Sequence, residues 1–135
     1  MPFGHAVVIM VITLALSRAP DSVEGAEFAR QVLQALAVHN AAFIRAGLVP
    51  PLYRSKVRYR QEKTESFQDA LCVYRQGWGD CSNLAAWRAG ELLLSGELAA
   101  IHVRWREYDD GQRGYHVLVR RADGVIEDPS RLLGM

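Results

Sequence analysis

Between Cys81 and Leu94 the chain is mostly Leu, Ala and Trp, and its polar positions Arg88, Glu91 and Ser95 fall on one stripe. A helix of that composition is buried on several sides, so the other elements must be arranged around it. Ser95-Gly96 ends it. A cysteine opens it, approached through Gly77-Trp78-Gly79-Asp80. The unpaired N–H groups of a first helical turn, and the positive end of the helix dipole, favour thiolate over thiol. Gly77 and Gly79 read as letting backbone come close to whatever approaches the sulfur. Asp80 beside the thiol would raise its pKa unless the carboxylate caps the helix, accepting N–H bonds from Ser82 or Asn83.

The remaining elements follow in chain order. Residues 7–16 form an apolar, β-branched run ended by Arg18-Ala19-Pro20. It reads as a strand buried on both faces. The alternative is an export signal with Ala15-Leu16-Ser17 at the cleavage site, which the absence of Lys or Arg before the run disfavours. The run is too short to span a bilayer. Asp21 to Glu24 reads as a capping box with Asp21 as N-cap. A helix then runs to about Ala46, with Phe28, Val32, Leu36 and Phe43 at helical spacing and Leu33, Ala37 and Ile44 flanking them. Gly47 and Pro50-Pro51 end it.

From Tyr53 to Arg60 the residues alternate. Arg54, Lys56, Arg58 and Arg60 share one face of an extended arm, which reads first as a solvated edge and second as an anion-binding stripe. Residues 64–75 read as a second helix with Phe67, Leu71 and Tyr74 on one face and Cys72 beside them as an inert core thiol. Residues 100–108 and 115–121 read as strands, and 125–128 as the return of a hairpin. The order predicts an α+β fold in a single domain over 1–135: a helical N-terminal half, then a small antiparallel sheet packed on the cysteine-bearing helix.

Tyr115-His116-Val117 offers a base on a strand, and Glu127-Asp128-Pro129 a carboxylate just after it. Cysteine, histidine and aspartate then complete a nucleophilic set. Each also has a bland reading: a small buried hydrophobe, a hydrogen-bonded strand histidine, a turn. His116 and Asp128 share a face only if the hairpin loop has the right length, because side chains alternate with period two. A two-residue Asp123-Gly124 loop would put them on opposite faces. A three-residue loop, Ala122-Asp123-Gly124, pairs Arg121 with Val125 and brings Asp128 diagonal to His116. The sequence suits a type I turn with glycine in the left-handed region, so the three-residue loop is expected.

With a formal net charge of +1 over 135 residues, the chain is no obvious binder of nucleic acid or membrane. Its two cysteines form neither a CxxC pair nor a disulfide framework, which fits a reducing compartment. Cys, His and Asp can ligate zinc, but a structural site wants four ligands, and His5, His39 and His102 have no helpful spacing. No metal or cofactor is expected.

Gly79-Asp80-Cys81, Tyr115-His116-Val117 and Asp128-Pro129-Ser130 together resemble the transglutaminase-like, papain-related cysteine enzymes, in particular compact members encoded by tailed phages and prophages. The resemblance covers about the last 60 residues. It implies a papain-like core with Cys81 as nucleophile, His116 as base and Asp128 as its orienter. The implied chemistry is acyl transfer on a peptide or protein amide, by hydrolysis or transamidation. Gln76, Trp78, Asp80 and Tyr74 are candidates by position for lining the site or holding the oxyanion. Many relatives carry two acidic residues after the cysteine where this chain has Ser82 and Asn83, so a calcium site is not implied. The alternative is a phage neck or tail module that keeps the fold and binds virion proteins. A cytoplasmic or virion-associated location is expected.

Overall fold

The computed structural model describes residues 22–62, 66–107, 109–111 and 113–135. The strand expected at 7–16 and the Asp21 cap lie outside them. The described N-cap is Ser22, whose Oγ accepts from the Gly25 N–H at 3.0 Å. Helix α1 runs Val23–Arg45. Gly47, at φ 73°, closes it as expected.

The buried line of α1 is Ala26, Ala29, Leu33, Ala37 and Asn40 rather than Phe28, Val32, Leu36 and Phe43, which sit at its margins. The reason lies in helix α3, Cys81–Leu94. A Cβ on Gly90 would lie 2.6 Å from the Ala37 carbonyl oxygen. Backbones this close leave no room for a side chain at Gly90 and favour small residues where α1 crosses it.

After α1 come one 3-10 turn, Leu52–Arg54, and β1, Arg58–Tyr59. Of the alternation read from Tyr53 to Arg60, Ser55 and Val57 are buried and Tyr59 half-buried, while Arg54, Lys56, Arg58 and Arg60 are exposed; Tyr53 departs from it and is exposed too. Regular strand is confined to β1, which pairs in parallel with β2, Trp78–Gly79. Helix α2 is Ala70–Gln76, much shorter than the expected 64–75. Asp69 caps it, accepting from the Cys72 N–H at 2.9 Å. Upstream, the buried Asn83 side chain takes the backbone out of helical pairing. Its Oδ1 accepts from the Gln68 N–H at 2.9 Å, and its Nδ2 donates to the Ser66 carbonyl at 3.0 Å.

An antiparallel sheet completes the mixed helix-and-strand, α+β architecture. Its order is β3 (Ala100–Glu107), β4 (Arg113–Arg120), β5 (Ile126–Glu127), followed by α4, Pro129–Leu132. Val117, Val119 and Ile101 from the sheet pack with Ala85, Ala86 and Ala89 of α3 and Leu33 and Ala37 of α1. A second core gathers Trp87, Leu84, Val73 and Leu52 on another side of α3. Trp87 is fully buried and its indole N–H reaches the Pro50 carbonyl at 3.2 Å. Thus α3 sits between two cores, as its composition requires. Among the described residues no helix is long and apolar enough to cross a membrane.

Candidate functional site

Cys81 is the first residue of α3 and is half-buried. Asp80 is the N-cap. Its Oδ1 accepts from the Asn83 N–H at 3.3 Å and from the Ser82 hydroxyl at 2.6 Å. The carboxylate therefore serves the cap, as the sequence predicts, with Ser82 contributing its hydroxyl. The polar pair after the cysteine has structural work: Ser82 holds the cap, and Asn83 pins residues 66–68 to α3.

The two glycines act differently from the reading above. Gly77, at φ 85°, ends α2 in the left-handed conformation. A Cβ on Gly79 would lie 3.0 Å from Val73 and 3.1 Å from Leu84. The space that Gly79 leaves open is filled by these core side chains.

The hairpin has the three-residue loop. The Arg121 N–H donates to the Val125 carbonyl at 2.8 Å, the Gly124 N–H returns to the Arg121 carbonyl at 2.9 Å, and Gly124 lies at φ 88°. Val119 accordingly faces Glu127 across the ladder. Asp128 falls on the same alternation as His116, and its Oδ2 lies 2.9 Å from His116 Nε2. Asp128 Oδ1 accepts from the Arg131 N–H at 3.3 Å, capping α4. Each carboxylate oxygen thus has a separate task. An ionised carboxylate only accepts, so this contact requires the proton on Nε2; a neutral ring held in this way has its lone pair on Nδ1. The pair is sheltered, with His116 13% and Asp128 21% exposed.

Glu127, the neighbour of Asp128, points the other way into an ionic cluster. It accepts from Arg88 Nε at 2.7 Å, from Arg121 Nη1 at 2.9 Å and from the Tyr53 hydroxyl. Arg88 also bonds Glu91 at 2.8 Å, and Glu91 accepts from the Leu52 N–H. Burial alone would raise the Glu127 pKa; the hydrogen bonds from Arg88 and Tyr53 outweigh it and hold the carboxyl below its ordinary range. Burial and the adjoining Glu127 carboxylate raise the Tyr53 phenol far above its usual value. The polar stripe of α3 thus docks on β5 and the 3-10 turn. This cluster was not foreseen, because its members are scattered along the chain.

No family model, curated protein or solved structure matches the chain.

Among the positional candidates, Gln76 has both amide N–H groups engaged. They reach Gln68 Oε1 at 2.9 Å and the Trp78 carbonyl at 2.7 Å, fixing β2 to α2. Tyr74 packs edge-on against Trp87, 6.2 Å between centroids, and is 40% exposed. Trp78 is half-buried and carries the Arg60 guanidinium over its ring at 4.9 Å. Cys72 is half-buried rather than a core residue. Burial, then the Asp69 carboxylate, push its thiol pKa up, which disfavours the thiolate. Among the described residues no cluster of three or more His, Cys, Asp or Glu is arranged to hold a metal ion.

Proposed function

We propose that this chain is a cysteine-dependent acyl-transfer enzyme with a transglutaminase-like, papain-related core, acting on a peptide or protein amide. The observation that carries the reading is the His116–Asp128 pair at 2.9 Å on a sheet packed against the helix that Cys81 opens. Cys81 thiolate attacks the carbonyl carbon, and the C=O π pair moves to oxygen. The Cys81 backbone N–H, at the first position of the helix, donates to that oxyanion. His116 Nδ1 takes the thiol proton and passes it to the leaving amine as the tetrahedral intermediate collapses to a thioester. Asp128 holds the ring in the tautomer that leaves Nδ1 basic. Water then releases an acid, or an amine a new amide. Val117 and Val119 already occupy the flank of α3. The mechanism therefore requires the ring to meet the sulfur at the N-terminal end of that helix.

The test is acylation with p-nitrophenyl acetate, read by intact mass and peptide mapping. The expected result is a transient acetyl group on Cys81 in the wild-type chain and none in Cys81→Ser. Removing the base in His116→Ala slows acylation. Acetylation confined to lysines, or equal at Cys72 and Cys81, overturns the proposal.

A further inference from the structure

Three arginines of the described fold, Arg30, Arg88 and Arg121, are paired with carboxylates. Arg60 is held in place differently. Its backbone N–H donates to the Gly79 carbonyl at 2.9 Å, continuing the β1–β2 pairing. Its guanidinium lies over the Trp78 ring, 4.9 Å from the centroid. Gln76 in turn anchors the Trp78 carbonyl. A cation stacked on an indole loses much of its freedom without losing its charge. Arg60 is exposed, and among the described residues no carboxylate forms an ion pair with it.

Two carboxyl groups lie on neighbouring chain, and neither neutralises it. Asp80 Oδ1 is taken by the Ser82 hydroxyl and the Asn83 N–H. Glu62 makes no ion pair with Arg60, and its buried Oε2 has no hydrogen-bond partner among the described residues. The planar N–H fork of Arg60 therefore stays open, on a platform whose chain runs Trp78, Gly79, Asp80 directly into Cys81. Such a fork matches a carboxylate in bidentate fashion.

We propose that Arg60, stacked on Trp78, binds a carboxylate of the acyl substrate beside the carbonyl that Cys81 attacks. The substrate class is then an acidic peptide, offering an Asp or Glu side chain or a free α-carboxylate. This rests on the reading of Cys81 as nucleophile and adds a specificity residue to it.

The two claims separate in one experiment on the full chain. Cys81 is alkylated with iodoacetate and, in parallel, with iodoacetamide. In both the sulfur forms the S–C bond and iodide leaves. The reagents differ in one negative charge, so any change in thiolate fraction cancels in the ratio of their rates. In Arg60→Gln the iodoacetate-to-iodoacetamide ratio at Cys81 falls about 3- to 5-fold, the scale of one partly exposed ion pair. Arg60→Lys keeps part of the preference, because the charge remains and the fork does not. The ratio at Cys72 is unchanged and serves as the internal control. A Cys81 ratio equal in wild type and Arg60→Gln overturns the role of Arg60 while leaving a reactive Cys81 intact. Failure of either reagent to modify Cys81 ahead of Cys72 overturns both claims. Acidic and amidated versions of one short peptide as competitors then separate side-chain from α-carboxylate recognition.

Discussion

Glu127 and Asp128 are adjacent carboxylates at the end of one short strand, and their surroundings give them opposite uses. Glu127 faces α3 and is held by Arg88, Arg121 and Tyr53. Asp128 faces the other way and meets one imidazole and one helix-end N–H. A single step of strand alternation separates a clamp from a candidate catalytic group. The clamp joins the cysteine-bearing helix to the strand that leads into Asp128. Stability and chemistry are therefore expected to divide between two neighbouring residues.

The largest expected effect is on the clamp. Glu127→Gln leaves two arginines without their shared counter-ion and costs roughly 2–3 kcal/mol, read from denaturant midpoints. Arg88→Met in that background costs less than the sum of the two single changes, because both disrupt one network. Simple additivity would break the idea of a shared cluster. Asp128→Asn should behave in the opposite way. Asparagine caps a helix as well as aspartate does, so stability stays within about 1 kcal/mol of wild type. Alkylation of Cys81 nevertheless slows at least about tenfold, since the amide no longer fixes the imidazole as a carboxylate does. Equal destabilisation by the two substitutions would erase the contrast.

Acid sharpens the same comparison. The folded-state pKa of Glu127 is depressed below the ordinary 4.5. Its contribution is therefore full above the unfolded value and fades as pH falls through the folded one. Glu127→Gln removes that contribution, so its stability falls less steeply on acidification than wild type. Arg121 holds the partly exposed Glu97 down to about 2, so its smaller contribution fades between 4.5 and that value. Glu97→Gln is expected to flatten the acid limb only slightly. The smallest effect belongs to Cys72→Ser, which costs under about 1 kcal/mol at a half-buried site and leaves Cys81 reactivity unchanged.

Local punctuation made much of this legible from sequence. Asp80 before an apolar run marked the start of α3, Ser95-Gly96 marked its end, and Ala122-Asp123-Gly124 marked the hairpin that brings Asp128 to His116. What escaped depended on distant partners. The length of α2 was misread because its start is set by Asn83 from another helix. The centre of α1 was misread because large apolar residues outweigh alanine in a hydrophobic pattern, while Gly90 selects for small ones. The role of Glu127 as a clamp was not legible because Arg88 lies 39 residues away and Tyr53 lies 74.

The central claim is that Cys81 and His116 act as one unit. It is tested most directly by the rate of iodoacetamide alkylation at Cys81, followed by peptide mapping in wild type and His116→Ala. At about pH 6, well below the ordinary thiol value, wild-type Cys81 should react at least about tenfold faster than Cys72. In His116→Ala, with the fold verified by an unchanged unfolding midpoint, that advantage should disappear. A Cys81 rate that is the same with and without the imidazole would contradict the account.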